Sequence, residues 1–167
     1  MTYESIFDFL NEDERFKHVH SMCISMEKEI ISNSYNVSLF ISRVASELVI
    51  KLLIDDSDYR MDFFQRYNDG ILKTRKNGDY KYISLSEMIE KCREHQIIGK
   101  KVEERYNYLR DVGNSNAHGD RLIDFGLKDC EKAHNNLFLI ALHGYNKLTN
   151  ENKHLKYENH LEIMILK

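Results

Sequence analysis

The chain has 167 residues with 42% hydrophobic and 31% charged content, ordinary for a globular protein and long enough for one domain to bury roughly 70% of the surface its unfolded form exposes. Twenty-four Lys and Arg against 27 Asp and Glu give a net charge of −3, so there is no global basic field and any nucleic-acid contact must be local. No apolar run approaches the roughly 20 residues that span a bilayer, and the three cysteines, Cys23, Cys92 and Cys130, form no C-x-x-C pair, which excludes the common zinc and thioredoxin-like motifs.

Proline is absent and glycine occurs only seven times, so the chain lacks the residues that most often punctuate all-β folds. The opening "YESIFDFL" reads as a short helix. From about Asp13 to Ile31, Phe16, Val19, Met22 or Cys23, Met26 and Ile30 recur at helical spacing behind acidic residues suited to a helix N-terminus. A second helix is expected over about Asn36–Ile54, "NVSLFISRVASELVIKLLI"; its latter half is apolar on nearly every side, the pattern of a helix in the middle of a domain. Arg43 and Glu47, four apart, can pair along one flank of it.

Residues from about Asp55 to Ile83 carry a mixed signal. "YRMDFFQRY" fits a short helix, whereas Asn77-Gly78 suits a type I′ turn between weakly alternating stretches, a small β-hairpin. There Lys73, Arg75, Lys76 and Lys81 interleave with Tyr80 and Tyr82, a mixture that serves either phosphate contact with base stacking or a solvated hairpin. Ser86 is a candidate cap for a helix starting at Glu87 and ending near "HQIIG".

The next helix runs from about Lys100 through "YLRDVGNSNAHGD". Its core stripe is Val102, Tyr106, Leu109, Gly113 and Ala117, which puts Arg110, Asn114 and His118 on the adjacent flank as one polar line. A last long helix, about Leu127–Leu148, presents Cys130, Ala133, Leu137, Ile140, Ala141 and Tyr145 as a broad apolar face. The tail "KYENHLEIMILK" alternates only partly. No internal repeat or linker is evident, so residues 1–167 read as a single all-α domain of about five main helices. The other histidines, among them His18, His20, His95, His134 and His143, lack metal-ligand spacing and read as exposed or core-bordering; no P-loop, G-x-G-x-x-G or G-x-S-x-G is present. With no leader-like pattern in "MTYESIFDFLNEDERF", the expected location is the cytoplasm, with no membrane partner, metal or cofactor.

"SMEKEIISNSYNVSLFISRVASELVIKLL" followed by "IGKKVEERYNYLRDVGNSNAHG" and an amphipathic helix resembles the uncharacterised helical domain found beside the helicase in type I restriction R subunits and in stand-alone bacterial proteins. The resemblance covers roughly Asp13 to Leu148, and its strongest elements are Arg43, Glu47 and the Leu109–Gly119 signature. That domain is similar in turn to the HEPN superfamily, helical bundles of anti-phage defence whose active ribonucleases are usually dimers with R-N-x-x-x-H. The resemblance implies a HEPN-like bundle, a homodimer, and a place in a bacterial or phage-borne defence or counter-defence system. With His118 on the family histidine and Asn114 on the polar position, Gly113 stands where the arginine should be.

Metal-independent RNA cleavage needs an acid or base near the 2′-OH and a cation for the transition state. His118 suits the first; Arg110, one turn from the vacant arginine position, or Arg43 from the neighbouring helix, suits the second. Otherwise Arg43, Glu47, Arg110, Asn114 and His118 form a polar network that fixes helix register or binds a protein partner or RNA. The expected function is a non-catalytic interaction module, with a metal-independent endoribonuclease as the alternative.

Overall fold

The computed structural model describes residues 4–117 and 124–161, without the side chains of 116 and 117. Its core elements are five α-helices: α1, Lys17–Ile31; α2, Tyr35–Asp56; α3, Leu85–Glu94; α4, Lys100–Ala117; and α5, Leu127–Thr149. Short 3-10 turns occupy Asp8–Glu12, Glu14–Phe16 and Arg60–Phe63. The all-α bundle read from the sequence is therefore the architecture found. No helix among the described residues is long and apolar enough to cross a membrane.

Helix α2 is the central post, packed on α1, α4 and α5. Its buried residues Leu39, Ala45, Val49, Ile50, Leu53 and Ile54 lie on several faces, because each neighbour covers a different side. The expected opening helix over "YESIFDFL" is instead the Asp8–Glu12 turn, and the Glu14–Phe16 turn takes the start of the segment expected as the first long helix, with Phe7 and Phe9 edge-on to Phe138 of α5 at 6.2 and 5.9 Å. One hydrophobic cluster runs from Phe7 to Leu161.

Without proline, α1, α3 and α5 stop by entering the left-handed region at non-glycine residues, whereas α2 ends at extended Ser57. Asn33 (φ 60°) follows α1 and Gln96 (φ 59°) follows α3. In each, the next residue's N–H reaches back to a carbonyl five positions earlier, Ser34 to Glu29 and Ile97 to Cys92, which satisfies carbonyls the helix end leaves open. Helix α3 starts two residues earlier than Ser86 suggested. Its cap is Ser84, whose Oγ accepts the Glu87 N–H while donating to Glu87 Oε1, because the S-x-x-E spacing belongs to Ser84 and Glu87.

Residues 63–83 form a compact insert of three extended segments joined by isolated antiparallel bridges, Phe64 with Tyr82, Arg66 with Leu72 and Thr74 with Tyr80. The Asn77-Gly78 hairpin is present, but its turn is not type I′. Only Gly78 has positive φ, Gly78 N–H donates to Arg75 O, and Arg75 N–H donates to Asp79 O, the pattern of a type I turn closed by a left-handed glycine. The same turn occurs eight residues earlier at Tyr67–Ile71, with Gly70 in the glycine position. Asp69 accepts from the Ile71 N–H and Asn77 from the Asp79 N–H, the same side-chain brace twice. A short local repeat, invisible to a search for long periods, therefore builds the insert. At that same spacing Gln65 N–H donates to Lys81 O, Lys81 N–H to Lys73 O and Lys73 N–H to Gln65 O, closing a ring of backbone hydrogen bonds.

Candidate functional site

The α4 flank is positioned by its core stripe. Tyr106, Leu109 and Gly113 are buried, and Arg110 and Asn114 lie half-buried beside them. At Gly113 α4 lies tight against α2: a Cβ there would sit 2.7 Å from Arg43 Cδ, 3.0 Å from its Cγ, and closer still to its Cβ. Arg43 therefore lays its aliphatic stem across Gly113. Its Nε is buried and has no hydrogen-bond partner among the described residues.

Arg110 is held by its own surroundings. Nε and Nη2 donate to Asp111 Oδ1 at 3.1 and 2.9 Å, and Nη1 donates to Ser86 Oγ at 3.0 Å. Ser86, expected as a helix cap, thus ties α3 to α4. Glu47 does not meet Arg43; its carboxylate pairs with Lys51 at 3.3 Å, one turn further along α2, because Arg43 is drawn toward Gly113. The structure so brings Arg43 and Gly113 together at the α2–α4 seam, turns Arg110 toward Ser86 of α3, and leaves Glu47 outside any ion pair with Arg43. His118 lies outside the described residues.

A buried polar chain that the sequence did not single out crosses the core. Glu27 of α1 and His134 of α5, each 1% exposed, meet at 2.7 Å between Oε2 and Nε2. His134 Nδ1 lies 2.8 Å from the Tyr157 hydroxyl, and Ser5 Oγ donates to Glu27 Oε1 at 2.5 Å. Nε2–H donating to the carboxylate and Tyr157 O–H donating to Nδ1 satisfies both ring nitrogens. The missed signal was a carboxylate at Glu27 on the same stripe as Cys23 and Ile30, and an imidazole at His134 next to Ala133 on the core side of α5. With Glu27 and His134 buried and its ends at Ser5 and Tyr157 only partly exposed, this chain braces α1, α5 and the segment after α5. Cys23 is buried beside it; burial first, and the Glu27 charge second, push its thiol well above the usual range, which leaves it inert.

The insert carries the open surfaces. One cavity of about 440 Å³ is lined by residues that include Lys51, Arg60, Arg75, Asp79, Tyr80 and Tyr82, and another of about 620 Å³ by residues that include Gln65, Arg66, Lys73, Glu87 and Lys91. Among the described residues no group of three or more His, Cys, Asp or Glu is placed to hold a metal. No family model, curated protein or solved structure matches the chain.

Proposed function

We propose that the protein is a non-catalytic, HEPN-like interaction module, homodimeric and cytoplasmic, serving a bacterial or phage-borne defence or counter-defence system through a protein partner or RNA. The observation that carries this reading is the filled position at Gly113. A nuclease of that pattern presents an arginine there to the substrate, whereas here the space is taken by the stem of Arg43, and Arg110 spends its donors on Asp111 and Ser86. The assignment to a defence system follows the resemblance carried by Arg43, Glu47 and the Leu109–Gly119 signature.

Purified protein is expected to leave bulk RNA intact in EDTA and to elute at twice the chain mass by light scattering. A monomer at tens of micromolar removes the basis for a composite site between two copies.

One observation favours a metal-independent endoribonuclease as the second reading: Arg43 reaches the seam at Gly113 with Nε unpartnered among the described residues. Its guanidinium would then supply the cation and His118 the base. In that case RNA is cut without metal, and both Arg43→Ala and His118→Ala abolish cleavage.

A further inference from the structure

The insert concentrates charge that the chain as a whole lacks. From Lys73 to Tyr82 there are four cations, Lys73, Arg75, Lys76 and Lys81, against the single carboxylate of Asp79, on a chain of net charge −3. Three further features organise this charge. Lys51 from α2, Arg60 from the 3-10 turn and Arg75 from the hairpin converge on the cavity of about 440 Å³, whose lining holds one carboxylate, Asp79. Asp55 Oδ1 accepts from Arg60 Nε at 3.1 Å and from the Tyr82 hydroxyl at 2.7 Å, which anchors a cation and a ring together. Arg60's terminal nitrogens, and the whole guanidinium of Arg75, make no hydrogen bond among the described residues.

The rings divide into one that is covered and one that is open. Lys51 Nζ lies 4.9 Å over Tyr82, and the same lysine is shared with Glu47. Tyr80, by contrast, is 39% exposed and leans on Phe64 at 5.3 Å. A single base stacks on such a ring while guanidinium groups fork onto its phosphate. The cavity volume falls in the range of roughly 300–1,000 Å³ for small-ligand sites, too small for a duplex. An acidic peptide would use the cations and leave the exposed ring unused.

We propose that this cavity, between Arg60, Arg75 and Tyr80, binds a nucleoside phosphate, either free or as one unit of single-stranded RNA. The closed backbone ring through Gln65, Lys73 and Lys81 holds the hairpin in place without the ligand, so binding needs little reordering. The site stands independently of the reading of α4.

The test is fluorescence anisotropy of the full chain with a labelled single-stranded oligouridylate, using the His118→Ala background if RNA is cut. Arg75→Ala and Tyr80→Ala are each expected to weaken binding by about tenfold, as for loss of one phosphate contact or one stacked base. Lys128→Ala, an exposed lysine on α5, serves as the control and is expected to change nothing. Competition by uridine monophosphate assigns the site to the free nucleotide; binding of the oligonucleotide without such competition assigns it to the strand. Equal displacement by inorganic phosphate or polyglutamate, or indifference to Tyr80→Ala, overturns the proposal, because either outcome leaves a plain anion site. So does an absence of binding in folded protein at low salt.

Discussion

Gly113 and Arg43 occupy one shared volume at the α2–α4 seam: the Cβ that any other residue would add at 113 falls on the Arg43 side chain, nearest to its Cβ. An atom so close to the backbone cannot swing away, so the helices themselves must part. Gly113→Ala is expected to lose on the order of 1–3 kcal/mol from overpacking, partly offset by about 1 kcal/mol of helix propensity. Gly113→Arg adds a charge to the same contact and is expected to fail to fold stably, without RNA cleavage. Urea melts and an RNA assay decide it; a stable Gly113→Arg variant that cuts RNA reverses the preference for a non-catalytic module.

Glu47 serves as the contrast. Because it pairs with Lys51 on a flank where both side chains are over a fifth exposed, Glu47→Ala is expected to cost only about 0.5 kcal/mol. A loss of about 3 kcal/mol, the size of a broken buried pair, would restore the Arg43–Glu47 pairing expected from their spacing.

Glu27 and His134 form a polar contact buried on both sides, each side chain 1% exposed. Replacing either partner alone strands the other in a place with no water, so Glu27→Leu and His134→Ala are each expected to lose about 3–5 kcal/mol in denaturant melts. Tyr157→Phe removes one hydrogen bond and should cost about 1 kcal/mol. If both single substitutions at the pair fall under 1 kcal/mol, the two groups are not buried together.

Stability should depend on pH through His143 on α5. Burial, then the nearby Lys147 charge, hold its pKa below the ordinary histidine value, and its buried Nδ1 has no hydrogen-bond partner among the described residues. A depressed folded-state pKa means that the unfolded chain takes up the proton first on acidification. Stability is therefore full above about pH 6.5 and falls as pH drops through that value. His143→Gln cannot titrate, so its Tm relative to wild type should rise steadily from pH 7 to pH 5. A gap that stays constant over that range rules out His143 as the source.

The helices were legible because their signal is local. Apolar residues at three- and four-residue spacing, the absence of proline and the all-round apolar surface of α2 specify an all-α bundle with α2 at its centre before any contact is known. The stripe through Tyr106, Leu109 and Gly113, with Arg110 and Asn114 beside it, was readable in the same way. What tertiary structure decided was partner choice. Spacing allowed Arg43 to meet Glu47, yet the missing side chain of Gly113, on another helix, drew Arg43 away and left Glu47 to Lys51. Glu27 and His134 stand 107 positions apart, so no local pattern pairs them; their match depends on how α1 and α5 fold against each other. The insert lies between these cases: each turn is written in a glycine and the Asp or Asn before it, whereas the backbone ring that joins the three segments, and the cavity beside it, exist only once those segments meet.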